Sequence, residues 1–281
     1  MKCRGKQLVF GQRTLIMGVL NVTPDSFSES GRYFEVDSAI AHAKSMVKDG
    51  ADIIDIGGES SRPGALSISA NEELARILPV VEALASEIPV PISIDTCKAH
   101  VARLTLQAGA HIVNDISALN GDSDMASVIS EMHAGLVLMH MKGNPRTMQH
   151  APAYQNVTSE ICLFFQDRIE EAEKNGIHPD CILIDPGIGF GKTTEHNLEI
   201  LRRLRDFQPL NKPILIGTSN KSFIGKILDL PVNDRMEGTA ATVAWAIAQG
   251  ADVVRVHNVK AMRRVAQMTD AIYRRANSIS S

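Results

Sequence analysis

Asp49-Gly50-Ala51-Asp52-Ile53-Ile54-Asp55-Ile56-Gly57-Gly58 reads as the end of a helix followed at once by a strand. Glycine at the second position suits the left-handed residue that ends a helix. The β-branched run behind it has the character of a strand buried on both faces. The same phrase returns in Ala108-Gly109-Ala110, Asn175-Gly176-Ile177 and Gln249-Gly250-Ala251. Working outward, strand-like runs cover Thr14–Asn21, Ala51–Gly58, Val90–Thr96, His111–Ser117, Gly135–Met141, Cys181–Gly187, Lys212–Ser219 and Ala251–His257. Helical patterns follow them at Asp37–Asp49, Asn71–Glu87, Lys98–Ala108, Asp122–His133, Val157–Asn175, Thr193–Asp206, Ser222–Trp245 (in two pieces) and Val259–Arg275. Eight βα units without a composition break predict one α/β domain over residues 1–281, a closed (β/α)₈ TIM barrel. The competing fold, a doubly wound open sheet, usually carries a glycine-rich phosphate loop after its first strand. Here that loop is Asn21-Val22-Thr23-Pro24-Asp25-Ser26-Phe27, without glycine. Met1–Arg13 is long for a bare tail and is predicted to close the barrel floor with a short N-terminal strand or hairpin, with Leu8-Val9-Phe10 as a small strand.

Composition narrows the function. Of 281 residues 44% are hydrophobic and 4% aromatic, so the core is built mainly from Ile, Val, Leu, Ala and Met. A net charge of -3 leaves no basic surplus for a nucleic-acid backbone, and cations for an anionic substrate must be concentrated locally. Cys3, Cys97, Cys162 and Cys181 show no metal-ligand or redox spacing, which suggests reduced thiols in the cytoplasm. The N-terminus lacks the apolar segment of a signal peptide, and no run is long enough for a membrane span.

A barrel of this kind places its chemistry at the C-terminal ends of the strands. Those ends are polar throughout: Asn21, Glu59-Ser60-Ser61-Arg62, Asp95, Asn114-Asp115, His140, Asp185, Ser219-Asn220-Lys221-Ser222, and Arg255 with His257. Any one of them has a structural reading as a helix cap or loop contact. Eight strands presenting polar groups at one mouth point to a site. Arg255 and His257 share a face of the last strand and suit a phosphate or diphosphate, with a salt bridge from Arg255 to a strand-end aspartate as the structural alternative. Asp95, Asn114, Asp185 and Lys221 suit a fused heterocycle with a guanidine-like edge, because a carboxylate accepts two parallel N–H bonds. Gly187-Ile188-Gly189-Phe190-Gly191-Lys192-Thr193 imitates a phosphate loop, but Pro186 stands where a P-loop requires glycine. Those glycines suit a tight loop or close backbone approach. His133, His140 and His150 have no zinc-like spacing with acids.

Taken in order, Asn21-Val22-Thr23-Pro24-Asp25-Ser26-Phe27-Ser28, Gly57-Gly58-Glu59-Ser60-Ser61-Arg62-Pro63-Gly64, Asp95-Thr96-Cys97-Lys98, Asn114-Asp115-Ile116, Asp185-Pro186-Gly187-Ile188-Gly189-Phe190-Gly191-Lys192, Ser219-Asn220-Lys221-Ser222 and Arg255-Val256-His257 resemble the dihydropteroate synthase family across nearly the whole chain. The resemblance implies condensation of 6-hydroxymethyl-7,8-dihydropterin diphosphate with p-aminobenzoate, releasing diphosphate, with Mg²⁺. It implies a pterin site of Asp95, Asn114, Asp185 and Lys221. It also implies a diphosphate site of Asn21, Ser61, Arg62, Arg255 and His257, with Asn21 on the metal. Phe27, Ser61, Pro63, Phe190, Lys221 and Ser222 would border p-aminobenzoate. Asp95, Lys221, Arg255 and His257 are the expected catalytic set, and the family commonly forms homodimers through outer helices. Three positions depart from the usual family pattern: Asn220 for Arg, Ser61 for Thr, and Ser28-Glu29-Ser30-Gly31 in a loop that is ordinarily richer in glycine. Two other functions compete. Corrinoid-dependent methyltransferases share the pterin contacts but handle no diphosphate, so Lys221 and the Arg255–His257 pair argue against them. A pterin-binding module without catalysis is separated by a turnover assay.

Overall fold

The computed structural model describes residues 1–23, 32–60, 64–144, 147–148 and 151–274, the side chains of 32–35 apart. The barrel strands are β1 Leu15–Asn21, β2 Ile53–Gly57, β3 Ile92–Asp95, β4 Ile112–Asp115, β5 Gly135–Met139, β6 Ile182–Asp185, β7 Leu215–Ile216 and β8 Val253–Val256. They form one eight-stranded sheet of parallel neighbours, with β8 paired to both β7 and β1. The ring closes between β6 and β7 through the Ile184–Ile214 bridge, where the Ile184 N–H donates to the Pro213 carbonyl at 3.0 Å. The strand expected over Lys212–Ser219 is regular only at Leu215–Ile216. Pro213, which has no N–H to give a ladder, precedes it.

The helices are α1 Arg32–Lys48, α2 Ala70–Glu87, α3 Ala99–Gln107, α4 Met125–Glu131, α5 Val157–Lys174, α6 Thr194–Arg202, α7 Ser222–Leu228, α8 Met236–Ala248 and α9 Val259–Tyr273. Gly50 and Gly250 end their helices at φ 100° and 102°, as the repeated phrase predicts. Side chains start others: Asn156 accepts from the Ser159 N–H, Thr193 from the His196 N–H, and Asn258 from the Ala261 N–H. The pattern predicted over Thr193–Asp206 divides. Its second half is a 3₁₀ turn, Leu204–Leu210, which contains Pro209 and ends on left-handed Asn211.

Side-chain parity sorts the interior into two cores. Ile16, Ile54, Ile92, Val113, Leu136, Ile182, Ile216 and Val254 pack outward against the helices. Leu15, Met17, Ile53, Ile112, Val137, Leu183, Leu215 and Val253 point into the barrel and fill its lower half with Cys3 and Leu8. Each fully buried aliphatic side chain contributes roughly 1.5–3 kcal/mol. The floor is closed by a hairpin of Lys2–Cys3 and Lys6–Gln7. Leu8-Val9-Phe10 is therefore not a strand, as the sequence reading had it: Leu8 follows the hairpin, is buried, and its N–H donates to the Met1 carbonyl at 2.9 Å. Arg4 holds the hairpin by donating to the carbonyls of Leu106, Ala110 and Met132. Those groups lie at or just beyond the ends of α3 and α4, where carbonyls lack helical partners and favour a cation.

Candidate active site at the barrel mouth

The inward parity that carries aliphatic residues at the floor carries polar ones at the top. Along the ladders Asn21 pairs with Gly57, Gly57 with Asp95, and Asp95 with Asn114. Residues paired in a parallel ladder share a face, so these line one rim. Gly57 leaves that rim open: a Cβ there would lie 3.5 Å from the Asp95 Cβ and 3.8 Å from Asn21 Oδ1. One step lower, Asp55 pairs with Ser93. Asp55 Oδ1 and Ser93 Oγ are both sealed from solvent and have no hydrogen-bond partner among the described residues.

Arg255 crosses the mouth from β8. Its Nε donates to Asp55 Oδ2 at 2.6 Å and its Nη2 to Asp95 Oδ2 at 2.8 Å. Asp55 Oδ2 also accepts from Asn114 Nδ2 at 3.1 Å. Burial pushes the Asp95 carboxyl up to about 7; Arg255 opposes this, Asp55 and Glu73 add to it, and Lys221 opposes it. Asp185 ends β6, and its Oδ1 accepts from the Gly187 N–H at 2.8 Å. Its carboxyl is raised by burial, against the pull of that N–H and of Lys221, Arg255 and Lys192. Burial brings the Lys221 ammonium down to about 8; Arg255 lowers it further, while Asp185 and Asp95 hold it up. Lys221 Nζ stands 4.1 Å from the centre of the Phe190 ring, a cation–π contact. His257 is exposed at the rim with Nδ1 2.9 Å from Ser219 Oγ. The mouth thus holds carboxylates, two amides and cations from six strands and the start of α7, a surface suited to a flat polar heterocycle carrying an anionic group.

The family model for pterin binding enzymes matches residues 17–257. A dihydropteroate synthase of Synechocystis sp. is 49% identical over 266 residues, covering 94% of this chain and 92% of that protein. The chain belongs to the dihydropteroate synthase family of pterin-binding enzymes. Its barrel superposes on a crystal structure of a Clostridium difficile dihydropteroate synthase in the presence of pteroic acid. That match has a TM-score of 0.91 and 48% identity, covering 96% of this chain and 100% of that one. A Xanthomonas albilineans dihydropteroate synthase with 4-aminobenzoic acid gives a TM-score of 0.87 and 39% identity, covering 92% and 93%.

Asp95, Asn114, Asp185, Lys221 and Arg255 are brought to one mouth, with Asn21 and His257 on its rim, and Phe190 under Lys221. Ser222 is exposed as the first residue of α7. Phe27, Ser61, Arg62 and Pro63 lie outside the described residues, as do Ser28-Glu29-Ser30-Gly31. Asn220 stands at φ 58°, a left-handed conformation that Asn tolerates better than most side chains. The imitation phosphate loop is a tight turn beneath the site: a Cβ at Gly187 would meet the His140 carbonyl oxygen at 2.0 Å. Lys192, unassigned from sequence, is buried and clamps that loop by reaching His140 Nδ1 at 2.9 Å and the carbonyls of His140 and Phe190 at 3.2 and 2.9 Å. Asp55 also escaped the sequence reading. Its signal was parity, since it shares the inward face with Ile53 and Gly57.

Proposed function

We propose that the mouth works by holding the pterin in a carboxylate–amide–lysine frame while cations draw the diphosphate away. The reaction is that of the family, a transfer in folate biosynthesis. 6-Hydroxymethyl-7,8-dihydropterin diphosphate and p-aminobenzoate give 7,8-dihydropteroate and diphosphate. The observation that carries the reading is the convergence of Asp95, Asn114 and Asp185, from three strands, and of Lys221, at the start of α7, on one opening. Asp185, Asn114 and Asp95 bind the N–H groups of the heterocycle, and Lys221 donates to its acceptors. Asn21, Ser61, Arg62, Arg255 and His257 take the diphosphate. Phe27, Ser61, Pro63, Phe190 and Ser222 border p-aminobenzoate.

An aromatic amine is already a neutral nucleophile, so the difficult event is C–O cleavage at the exocyclic methylene. Cations stabilise the charge growing on the departing diphosphate. A carboxylate near the ring, Asp95, favours positive charge on the pterin as that bond breaks. The amine nitrogen then bonds to the methylene carbon and loses its proton. The Asn21 side chain, a hard oxygen donor on the rim over Gly57, suits Mg²⁺, which commonly takes only one or two protein oxygens beside substrate phosphates and water. When bound, Mg²⁺ neutralises charge on the leaving group. Diphosphate release is expected only when the pterin diphosphate, p-aminobenzoate and Mg²⁺ are all present. Equal release without p-aminobenzoate would show hydrolysis and refute the transfer.

The chain is further read as a cytoplasmic homodimer. No helix among the described residues is long and apolar enough to cross a membrane. The outer helices α8 and α9 expose Trp245, Met268 and Ile272, at 49%, 64% and 74%. An apolar strip of this kind suits a self-complementary interface. Sedimentation equilibrium is expected to give twice the chain mass, with Met268→Lys plus Ile272→Lys shifting it to monomer; a parent monomer at micromolar concentration excludes the dimer.

A further inference from the structure

Asp55 is assigned to no ligand above, yet it sits at the centre of the site. Its side chain is fully buried, and one oxygen, Oδ2, accepts both from Arg255 Nε at 2.6 Å and from Asn114 Nδ2 at 3.1 Å. A carboxylate has only acceptors to offer. Asn114 must therefore turn its amide nitrogen toward Asp55. The Asn114 carbonyl oxygen accepts nothing from a described residue and is not among the sealed, unpartnered atoms, so it opens to the mouth. An asparagine free to flip would offer either a donor or an acceptor, and the same bond that directs Asn114 belongs to the group that holds Arg255.

We propose that Asp55 is a positioning residue that sets the hydrogen-bond polarity of the pterin pocket: it fixes Asn114 with its acceptor toward the ligand and steers Arg255 between the diphosphate and Asp95. The pocket then presents acceptors from Asp95, Asn114 and Asp185 on one side and donors from Lys221 and Arg255 on the other. That division selects a heterocycle with an N–H-rich edge and rejects one that offers acceptors there, because two facing acceptors leave both groups without a partner. Asp55 acts through Asn114 and Arg255, while Arg255 Nη1 remains available to a phosphate oxygen.

This rests on the assignment of Asn114 to the pterin, and the test separates the two. Binding of 6-hydroxymethyl-7,8-dihydropterin and its diphosphate is measured by calorimetry on the full chain, with steady-state kinetics alongside. Asp55→Asn is nearly isosteric but lets Asn114 flip; it is expected to weaken pterin binding at least tenfold and raise the KM for pterin diphosphate. The KM for p-aminobenzoate should change less than twofold. Exchanging the pair, Asp55→Asn with Asn114→Asp, restores one amide and one carboxylate: the new amide at 55 donates to the new carboxylate at 114, whose other oxygen faces the ligand. Binding should return to within about fivefold of the parent, a rescue that a merely structural role does not require. Pterin affinity unchanged in Asp55→Asn, or an exchange variant no better than Asp55→Asn, overturns the proposal. If Asn114→Leu binds pterin like the parent, the pterin assignment of Asn114 fails and takes the proposal with it. If Asn114→Leu loses binding while Asp55→Asn does not, the assignment stands and the proposal alone falls. Should Asp55→Asn not fold, the exchange variant decides: parent-like binding supports the polarity and lost binding refutes it.

Discussion

Asp185→Asn is expected to remove most pterin affinity and to leave the apo fold as stable as the parent or more so. The amide keeps an oxygen for the Gly187 N–H, which an alanine would leave without its acceptor. It loses the charge that, in the proposed pterin site, takes two parallel N–H bonds from a heterocycle edge. Truncating one partner of a buried, hydrogen-bonded charged pair costs roughly 2–5 kcal/mol, or about thirtyfold to several-thousandfold in the dissociation constant at about 1.4 kcal/mol per tenfold. Calorimetry with a pterin measures it; affinity within threefold of the parent would remove Asp185 from the pterin site. Stability supplies an independent check. Burial raises the Asp185 carboxyl in the folded protein above its ordinary value. Such a group favours the folded state below its unfolded pKa and withdraws that support as pH rises through the folded one. Asparagine imitates the protonated form. The variant's gain in melting temperature should therefore be absent in acid, grow above the ordinary aspartate range, and level off beyond the raised pKa. A gain largest in acid would contradict the buried, destabilised carboxylate.

That carboxylate shows why the site was less legible than the barrel. The barrel is announced by local chemistry repeated eight times: an apolar β-branched run, a helical pattern, and often a glycine where the helix stops. No long-range information is needed to read it. Strand-end polarity is also local, which is how Asp95, Asn114, Asp185, Lys221 and Arg255 were found. Partnerships are not local. Arg255 looked like an anion ligand, with a salt bridge as the structural alternative. It is in fact held by two carboxylates from β2 and β3, at sequence separations of 200 and 160. Asp55 was hidden because it lies inside a strand, where only the alternation of Ile53, Asp55 and Gly57 marks it as inward. Lys192 carried no role from sequence, standing only in a false phosphate loop and at the end of one family motif. Its burial follows from β5 standing beside β6, which brings His140 to it. The hairpin was displaced from its expected position for a similar reason. Leu8-Val9-Phe10 is the most apolar stretch there, but it is the two pairs before it, Lys2–Cys3 and Lys6–Gln7, that ladder, while Leu8 serves as the plug.

Lys98→Met is expected to give the largest loss of stability among single substitutions near the site. Lys98 N-terminally flanks α3 and bonds both Glu59, just past β2, and Glu73 in α2, the latter at 2.6 Å. Glu73 is fully buried, and its Oε1 has no partner among the described residues. Removing the cation leaves that carboxylate uncompensated, which costs about 3–5 kcal/mol for a buried pair. Burial lowers the Lys98 ammonium pKa, but its bonds to Glu59 and Glu73 outweigh burial and the net shift is upward. The contribution is therefore complete at neutral pH and is lost only as pH rises through that raised value. Urea unfolding at pH 7 measures the loss; less than 1 kcal/mol would mean that water reaches Glu73. Adding Glu73→Leu to Lys98→Met removes the stranded charge, and most of the stability should return. Function should not return with it. Glu59 Oε1 also accepts from the Ile68 N–H at 3.2 Å, so Glu59 ties together the two ends of the segment that carries Ser61, Arg62 and Pro63. Without Lys98 that tie loses its cation, whatever stands at position 73. The double variant should then be stable yet retain a raised KM for p-aminobenzoate. A parent-like KM would show that Lys98 serves the fold alone.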